Sequence, residues 1–208
     1  MYGARLMSEG NLYKLQYRDG AWSTFLPCNG GTTQCYWTGY QDAKGDSLRF
    51  ERGPHQELLQ LTASDNQGIS FQADDHRRTI EATATDGTTV SYSYDAAGCL
   101  AQVRRADGQV TLYAYDPAHR MTSMSVIRTA GAAPETVLTN EYDSHGRVIT
   151  QTLNGIGSYH IDYVATAGPY STRVKVTTPA GEVLNISIGQ NMYVAHSGPV
   201  RFPTVARP

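Results

Sequence analysis

The feature that most constrains this chain is a repeat with a period of 21 residues. Residues 92–100 read Tyr-Ser-Tyr-Asp-Ala-Ala-Gly-Cys-Leu, and residues 113–121 read Tyr-Ala-Tyr-Asp-Pro-Ala-His-Arg-Met. Further copies, increasingly degenerate, begin at Phe50, Phe71, Asn140, Ile161 and Ile186, with extra residues inserted in Thr129–Pro134 and Ala167–Tyr170. A fixed period of this length predicts an array in which each unit packs mainly against its neighbours.

Each unit carries two turn signals. One is an Asp-Gly pair, as at Asp86-Gly87 and Asp107-Gly108, which suits a tight hairpin because glycine readily adopts a positive φ. The other is the Asp-x-x-Gly step that follows the tyrosines. Between the turns polar and apolar residues alternate, so Val90, Tyr92 and Tyr94 share one face of a strand.

The sequence therefore predicts an all-β fold of tandem hairpins. Because a twisted sheet of a dozen or more strands tends to curl, we expect a curved, spiralling sheet or a partial shell. Residues 21 apart lie two strands apart in such a sheet. Phe50, Phe71, Tyr92 and Tyr113 are expected to form an aromatic column, which Ile161 and Ile186 continue.

The pattern Tyr-x-Tyr-Asp-x-x-Gly-Arg-Leu followed by an Asp-Gly turn resembles the YD repeat of bacterial Rhs proteins, wall-associated proteins, the C component of Tc toxins and the teneurins. The resemblance covers about residues 37–189 and is strongest over residues 86–148. It implies a β-shell that encloses a toxic domain in some members and serves at cell surfaces in others. It also implies three segments: lead-in strands over 1–36, the repeat array over 37–189 and a tail over 190–208.

The chain departs from the family pattern at several positions. Arg77, Cys99 and His119 replace residues that the pattern expects, and the Asp-Pro-x-Gly self-cleavage motif of the family is missing, since Asp116-Pro117 is an ordinary repeat step.

Residues 1–10 lack the apolar segment of a signal peptide, which favours a fragment of a longer chain. No apolar window is long enough for a membrane-spanning helix.

The sequence offers weak candidates for chemistry. His55, His76 and His145 occupy the same turn slot, which could suggest a metal but favours a solvated turn. Asp74, Asp95, Asp116 and Asp143 form an acidic row that favours backbone capping over acid–base catalysis. The pairs Arg77-Arg78 and Arg104-Arg105 are interpreted as solubility and edge protection. We therefore predict no catalytic, cofactor-binding or metal-binding residues, no cofactor and no enzyme activity.

The three cysteines show no metal-binding spacing. Cys28 and Cys35 flank a turn and could face each other across a hairpin; an exported protein would have them bridged, with Cys99 free. A net charge of −2 gives no sign of a nucleic-acid partner.

The leading hypothesis for function is a non-enzymatic structural scaffold, a section of a shell that encloses, displays or assembles a partner or a toxin cargo. The alternative is a surface module that binds a glycan or a protein through its tyrosine-rich face. Expected partners are other protein chains or further repeats of the same polypeptide. The expected location is secreted or at a bacterial cell surface.

Overall fold

The structure, a computed structural model, describes residues 4–26, 35–165, 172–188 and 194–197. These residues form strands and turns, with no helix among them and therefore none that could cross a membrane. The chain divides into two compact units, residues 1–94 with 102–109 and residues 95–101 with 110–208. The predicted all-β class of tandem hairpins is confirmed.

In the first unit, nine strands pair in sequence order, each antiparallel to the next. They are β1 (Arg5–Glu9), β2 (Leu12–Gln16), β3 (Trp22–Phe25), β4 (Trp37–Gln41), β5 (Ser47–Arg52), β6 (Leu58–Ala63), β7 (Gly68–Ala73), β8 (Thr79–Ala84) and β9 (Thr89–Tyr94). The next strand, β10 (Leu100–Arg104), contributes residues to both units.

The second unit repeats this antiparallel order with eight strands. They are β11 (Val110–Tyr115), β12 (Met121–Ile127), β13 (Glu135–Tyr142), β14 (Val148–Leu153), β15 (Gly157–Ala165), β16 (Thr172–Thr177), β17 (Val183–Ile188) and β18 (Val194–Ser197). The insertion predicted at Thr129–Pro134 lies between β12 and β13. The whole of Ala167–Tyr170 and most of the predicted tail lie outside the described residues.

The aromatic column is slanted. In the first unit Phe50 pairs with Leu61 and Leu61 with Ile69, so Phe71 lies two residues further along its strand. The second unit shows the same displacement, because Tyr113 pairs with Met124, Met124 pairs with Leu138, and the next column residue is Asn140. Each hairpin is therefore staggered by two residues relative to the previous one, a shift that keeps every side chain on its own face.

The two faces of the sheet differ in polarity. In the central part of β5–β9 one face is apolar, and we call this set the apolar face: Leu48, Phe50, Leu61, Ala63, Ile69, Phe71, Ala82, Ala84, Val90 and Tyr92. Arg52, two residues after Phe50 on the same side of β5, lies at the end of this face. Residues on the other face, such as Gln60, Ser70, Thr83 and Thr89, are polar. The second unit repeats the contrast, with Ser123, Thr139, Thr152 and Ser158 in one polar row.

Little of the described chain is deeply buried. Ala21, Val110 and Val174 are its only buried apolar residues, and no large side chain in the described part is fully shielded from solvent. The column residues Phe50, Phe71, Tyr92 and Tyr113 are half-buried. Among the described residues of the first unit, the apolar face is therefore flanked by neighbours within its own sheet and keeps much of its surface exposed.

Candidate functional site

The side chains with repeated, specific contacts belong to the Asp-x-x-Gly turns. In each turn one carboxylate oxygen of the aspartate accepts hydrogen bonds from the backbone N–H groups two and four residues later, at 2.8–3.0 Å. The aspartates are Asp74, Asp95, Asp116 and Asp143. Because this oxygen caps the turn, the acidic row has a structural role and its members are not arranged as a catalytic pair.

In three of these turns the second carboxylate oxygen binds an arginine four residues later. The Nε–Oδ2 distances are 2.8 Å for Arg78–Asp74, 2.6 Å for Arg120–Asp116 and 2.7 Å for Arg147–Asp143. The Nη2 atoms lie 2.6–2.7 Å from the same oxygens. A charge-assisted contact of this kind is stronger than a neutral hydrogen bond.

Each of these guanidinium groups also lies over a tyrosine of the following repeat. The distance from the guanidinium carbon to the ring centroid is 4.4 Å for Arg78–Tyr94, 4.9 Å for Arg120–Tyr142 and 4.4 Å for Arg147–Tyr163. We call the arrangement the Asp–Arg–Tyr clamp. It connects the turn of one repeat to the aromatic residue of the next through a cation–π contact.

The tyrosine hydroxyl groups provide a second connection. Tyr94 donates to the carbonyl of Thr79 at 2.8 Å, Tyr115 to Leu100 at 3.0 Å and Tyr142 to Met121 at 2.6 Å. Each acceptor is the residue that follows the arginine position of the previous turn. Tyr94 and Tyr142 therefore contact the previous repeat through both the ring and the hydroxyl group.

Hydrogen bonds within the turns lower the pKa values of Asp74, Asp116 and Asp143. The side-chain hydrogen bond from Arg78 is the main cause at Asp74, whereas the backbone N–H groups of Arg120 and Arg147 are the main causes at Asp116 and Asp143. The pKa of Asp143 falls from 3.8 to about 2. These carboxylates are therefore unsuited to be proton donors near neutral pH.

The fourth turn has a different contact. Cys99 occupies the arginine position, and its Sγ lies 3.1 Å from Nδ1 of His119 in the following turn. In the Arg120 clamp the residue equivalent to His119 is Gly146, and a Cβ there would lie 3.7 Å from Cδ of Arg120. The large Arg120 thus faces the small Gly146, whereas the small Cys99 faces the large His119. Burial, and next the charge of Asp95, raise the pKa of the Cys99 thiol.

The three aligned histidines lie in turns, as predicted. The backbone N–H groups of His76 and His145 donate to Asp74 and Asp143, and that of His55 donates to Glu57. Within the described ranges no three His, Cys, Asp or Glu side chains come together as a metal site.

The two arginine pairs have different roles. Arg78 belongs to a clamp, a role that its interpretation as edge protection did not include. Arg105 makes exposed contacts with Asp107 at 3.8 Å and with the side-chain oxygen of Gln109 at 3.5 Å. Sequence reasoning missed the clamps, although their signal was present: an Asp–Arg spacing of four residues recurs at Asp74, Asp116 and Asp143.

The cysteines are partly described. Cys99 is a free cysteine and Cys35 is disulfide-bonded. Cys28 lies outside the described residues, so the Cys28–Cys35 bridge stays a prediction. Mass spectrometry of the unreduced protein would test it, and a bridge that contains Cys99 would contradict it.

Comparison with known proteins supports the repeat assignment. Residues 100–132 match the model of the RHS Repeat family. No curated protein matches the sequence. The match covers a minor part of the chain but falls on its best-preserved repeats, and together with the fold it confirms the resemblance to Rhs/YD-repeat proteins.

Several solved structures share the fold. A crystal structure of TcdB2-TccC3-Cdc42 and one of TcdB2-TccC3 each match with a TM-score of 0.54 at 14% identity, over 93% of this chain. A structure of TcdB2-TccC3 without its hypervariable C-terminal region matches with a TM-score of 0.53 at 14% identity, over 92% of this chain. The chain spans only 12–13% of the length of those chains.

Proposed function

We propose that this chain is a non-enzymatic scaffold, a section of an Rhs-type shell that encloses, displays or assembles a partner. The observation that carries the proposal is the clamp. The most regular and most heavily contacted polar side chains of the described residues connect one repeat to the next, and their charge and hydrogen-bonding capacity are used within the sheet.

The shell role is supported by the way in which each repeat is connected to the next. An array held by local connections can be extended by further repeats without a new core. The likeness to TcdB2-TccC3 supports such an extended wall. We infer that further repeats of the same polypeptide or other protein chains are the immediate partners, that a toxin is a candidate cargo, and that the protein works outside the cell.

The proposed division into lead-in strands over 1–36, repeats over 37–189 and a tail over 190–208 assigns the wall to the repeats. The clamps support this assignment, because all three lie between Asp74 and Tyr163. The absence of enzyme activity is part of the proposal, and the capped aspartates support it.

The shell role can be tested on the native protein. An antibody raised against this chain would isolate the protein from cells and from culture medium, and electron microscopy would show its shape. We expect a hollow particle whose β-sheet wall contains this chain, recovered from the medium or the cell surface. A solid particle, or one confined to the cell interior, would overturn the proposal.

A binding role is favoured by one place in the first unit. Tyr36 and Trp37 are 38% and 37% exposed, and the Trp37 ring packs on Phe50 at 4.4 Å between centroids. Exposed ring faces beside an arginine suit a glycan or a peptide, and Arg52 lies over Tyr36 at 5.5 Å. Glycan-array binding that is lost in Trp37→Ala would support this alternative; no binding by the parent would remove it.

A further inference from the structure

Within the described residues of the first unit, nothing packs on the apolar face of β5–β9. Its ten residues face the same side of the sheet, and no Asp, Glu, Lys or Arg is among them. Leu48 on this face is 36% exposed, and Leu59, next to Leu61 on the same side of β6, is 37% exposed. Monomeric proteins rarely leave a contiguous apolar surface of more than a few hundred Å² in water.

The surface also has relief. A shallow hollow of about 290 Å³ lies between Leu48, Leu61, Ile69 and Ala84, with Gln67 and Asp86 at the rim next to the turns. A hollow of this size can accept a bulky apolar side chain, and the same face offers such side chains in Phe50, Phe71 and Tyr92. The face therefore carries both the projections and the depression that packing against a copy of itself requires.

The area fits a dimer. Five strands spaced about 4.8 Å apart, each with six residues at about 3.3 Å, cover roughly 480 Å² in projection. Two such faces together bury about 960 Å² in projection, close to the ~1,000 Å² of total area that a specific interface needs. The ten residues of the apolar face carry no charge, so it suits an apolar partner with charges at its margins, and a second copy of the same face meets both conditions.

The charges at the two ends of the strands select one arrangement. The turns after β4, β6 and β8 contain four carboxylates and one lysine: Asp42, Asp46, Asp65, Asp86 and Lys44. The opposite end, at the turns after β5 and β7, balances its carboxylates Glu57, Asp74 and Asp75 with Arg52, Arg77 and Arg78. A two-fold axis perpendicular to the strands places the acidic end of one copy over the balanced end of the other. A two-fold axis parallel to the strands would instead place the two acidic ends over each other, where they repel.

We propose that two copies of this chain pack their apolar faces together about a two-fold axis that runs across the strands. The interface is a sheet-on-sheet contact in which the side chains of the two faces interdigitate about 10 Å apart. It differs from the shell role, which concerns how repeats follow one another along a wall, and the two are tested on different samples.

A matched pair of double variants tests the face. Leu61→Lys with Ile69→Lys puts two charges on cross-strand partners of the apolar face, and Gln60→Lys with Ser70→Lys puts the same charges on cross-strand partners of the opposite face. We expect sedimentation to show a dimer for the parent and for the opposite-face variant. The apolar-face variant should dissociate at least about a hundredfold more readily, because buried unpaired charges are costly.

Crosslinking tests the arrangement and does not depend on lysine variants that could fail to fold. In a Cys99→Ser background, Gln67→Cys marks the acidic end and His76→Cys the balanced end. A short bismaleimide should join a mixture of the two variants into heterodimers and leave each variant alone largely uncrosslinked. A monomeric parent, equal dissociation of both double variants, or crosslinking of Gln67→Cys to itself would overturn the proposal.

Discussion

The repeats that contain Arg120 and Cys99 have the same backbone hydrogen bonds in their turns but differ in the side-chain contacts that they make with the next repeat. In both, an aspartate caps the turn with the same two backbone hydrogen bonds and a tyrosine hydroxyl binds the same carbonyl position. Arg120 adds an ion pair and a ring contact, whereas Cys99 contacts only the imidazole of His119 among these groups. Backbone capping by the aspartate is therefore common to both repeats. The Asp–Arg–Tyr clamp is an additional connection, and the Cys99 repeat has a contact between Cys99 and His119 instead.

The largest expected effect concerns the aromatic column, which runs through repeats of both kinds. Tyr92→Ala and Tyr113→Ala should each lower the free energy of unfolding by about 2 kcal/mol, since each removes an aromatic ring that is half-buried among its neighbours in the sheet. Thermal and urea unfolding beside the parent, with Ser91→Ala on the opposite face as control, provide the measurement. Unchanged melting in both tyrosine variants would contradict a packing role and make ligand binding the leading function of this face.

The next effect separates the two kinds of repeat directly. Arg120→Ala should destabilise the fold by about 1.5 kcal/mol, because it removes both the contact with Asp116 and the cation–π contact with Tyr142. Cys99→Ala should cost only about 0.5 kcal/mol, since a single thiol contact is lost. Arg128→Ala, which removes an exposed ion pair with Glu135, serves as the control for loss of charge. Equal losses for Arg120→Ala and Arg128→Ala would show that the clamp adds nothing.

A third experiment would convert the Cys99 repeat into a clamped one. The double variant Cys99→Arg with His119→Gly should raise the free energy of unfolding by about 1 kcal/mol, because it builds a clamp between Asp95 and Tyr115. It also relieves a histidine at φ 61°. Each single variant should gain less stability than the double variant. In Cys99→Arg alone, the larger side chain would clash with the imidazole of His119. A double-mutant cycle measures the coupling between the two positions. Additive single effects would contradict the idea that an arginine at position 99 requires a glycine at position 119.

The smallest expected effect is an acid dependence of stability that comes from Asp143. The pKa of Asp143 is lowered to about 2 in the folded protein, below about 3.9 in an unfolded chain. Its contribution to stability is therefore complete above about pH 4 and lost as the pH falls through about 2. Asp143→Asn should flatten that part of the curve of stability against pH. Arg147→Met should move the loss to higher pH, and an unchanged curve in both variants would contradict the assignment.

The periodicity was sufficient to predict the hairpins, their turns and the two faces. Tyr92 and Tyr113 repeat at 21 residues, and tight turns restrict the chain to residues such as Asp and Gly, so local chemistry was enough. The two-residue stagger was not predicted. It depends on which residues pair across strands, and the irregular pairing before Arg52, Ala73, Tyr115 and Tyr142 cannot be read from the spacing alone.

The clamp shows the boundary between sequence and structure. The sequence by itself determined that Asp74, Asp116 and Asp143 begin turns, because an Asx turn involves contacts within five residues. Only the tertiary structure decided that Arg78 and Arg120 reach the tyrosines of the next repeat, 16 and 22 residues away. Contacts over that distance depend on strand register and side-chain direction. For the same reason, the pairing of Cys99 with His119 became evident only when the two turns were placed side by side.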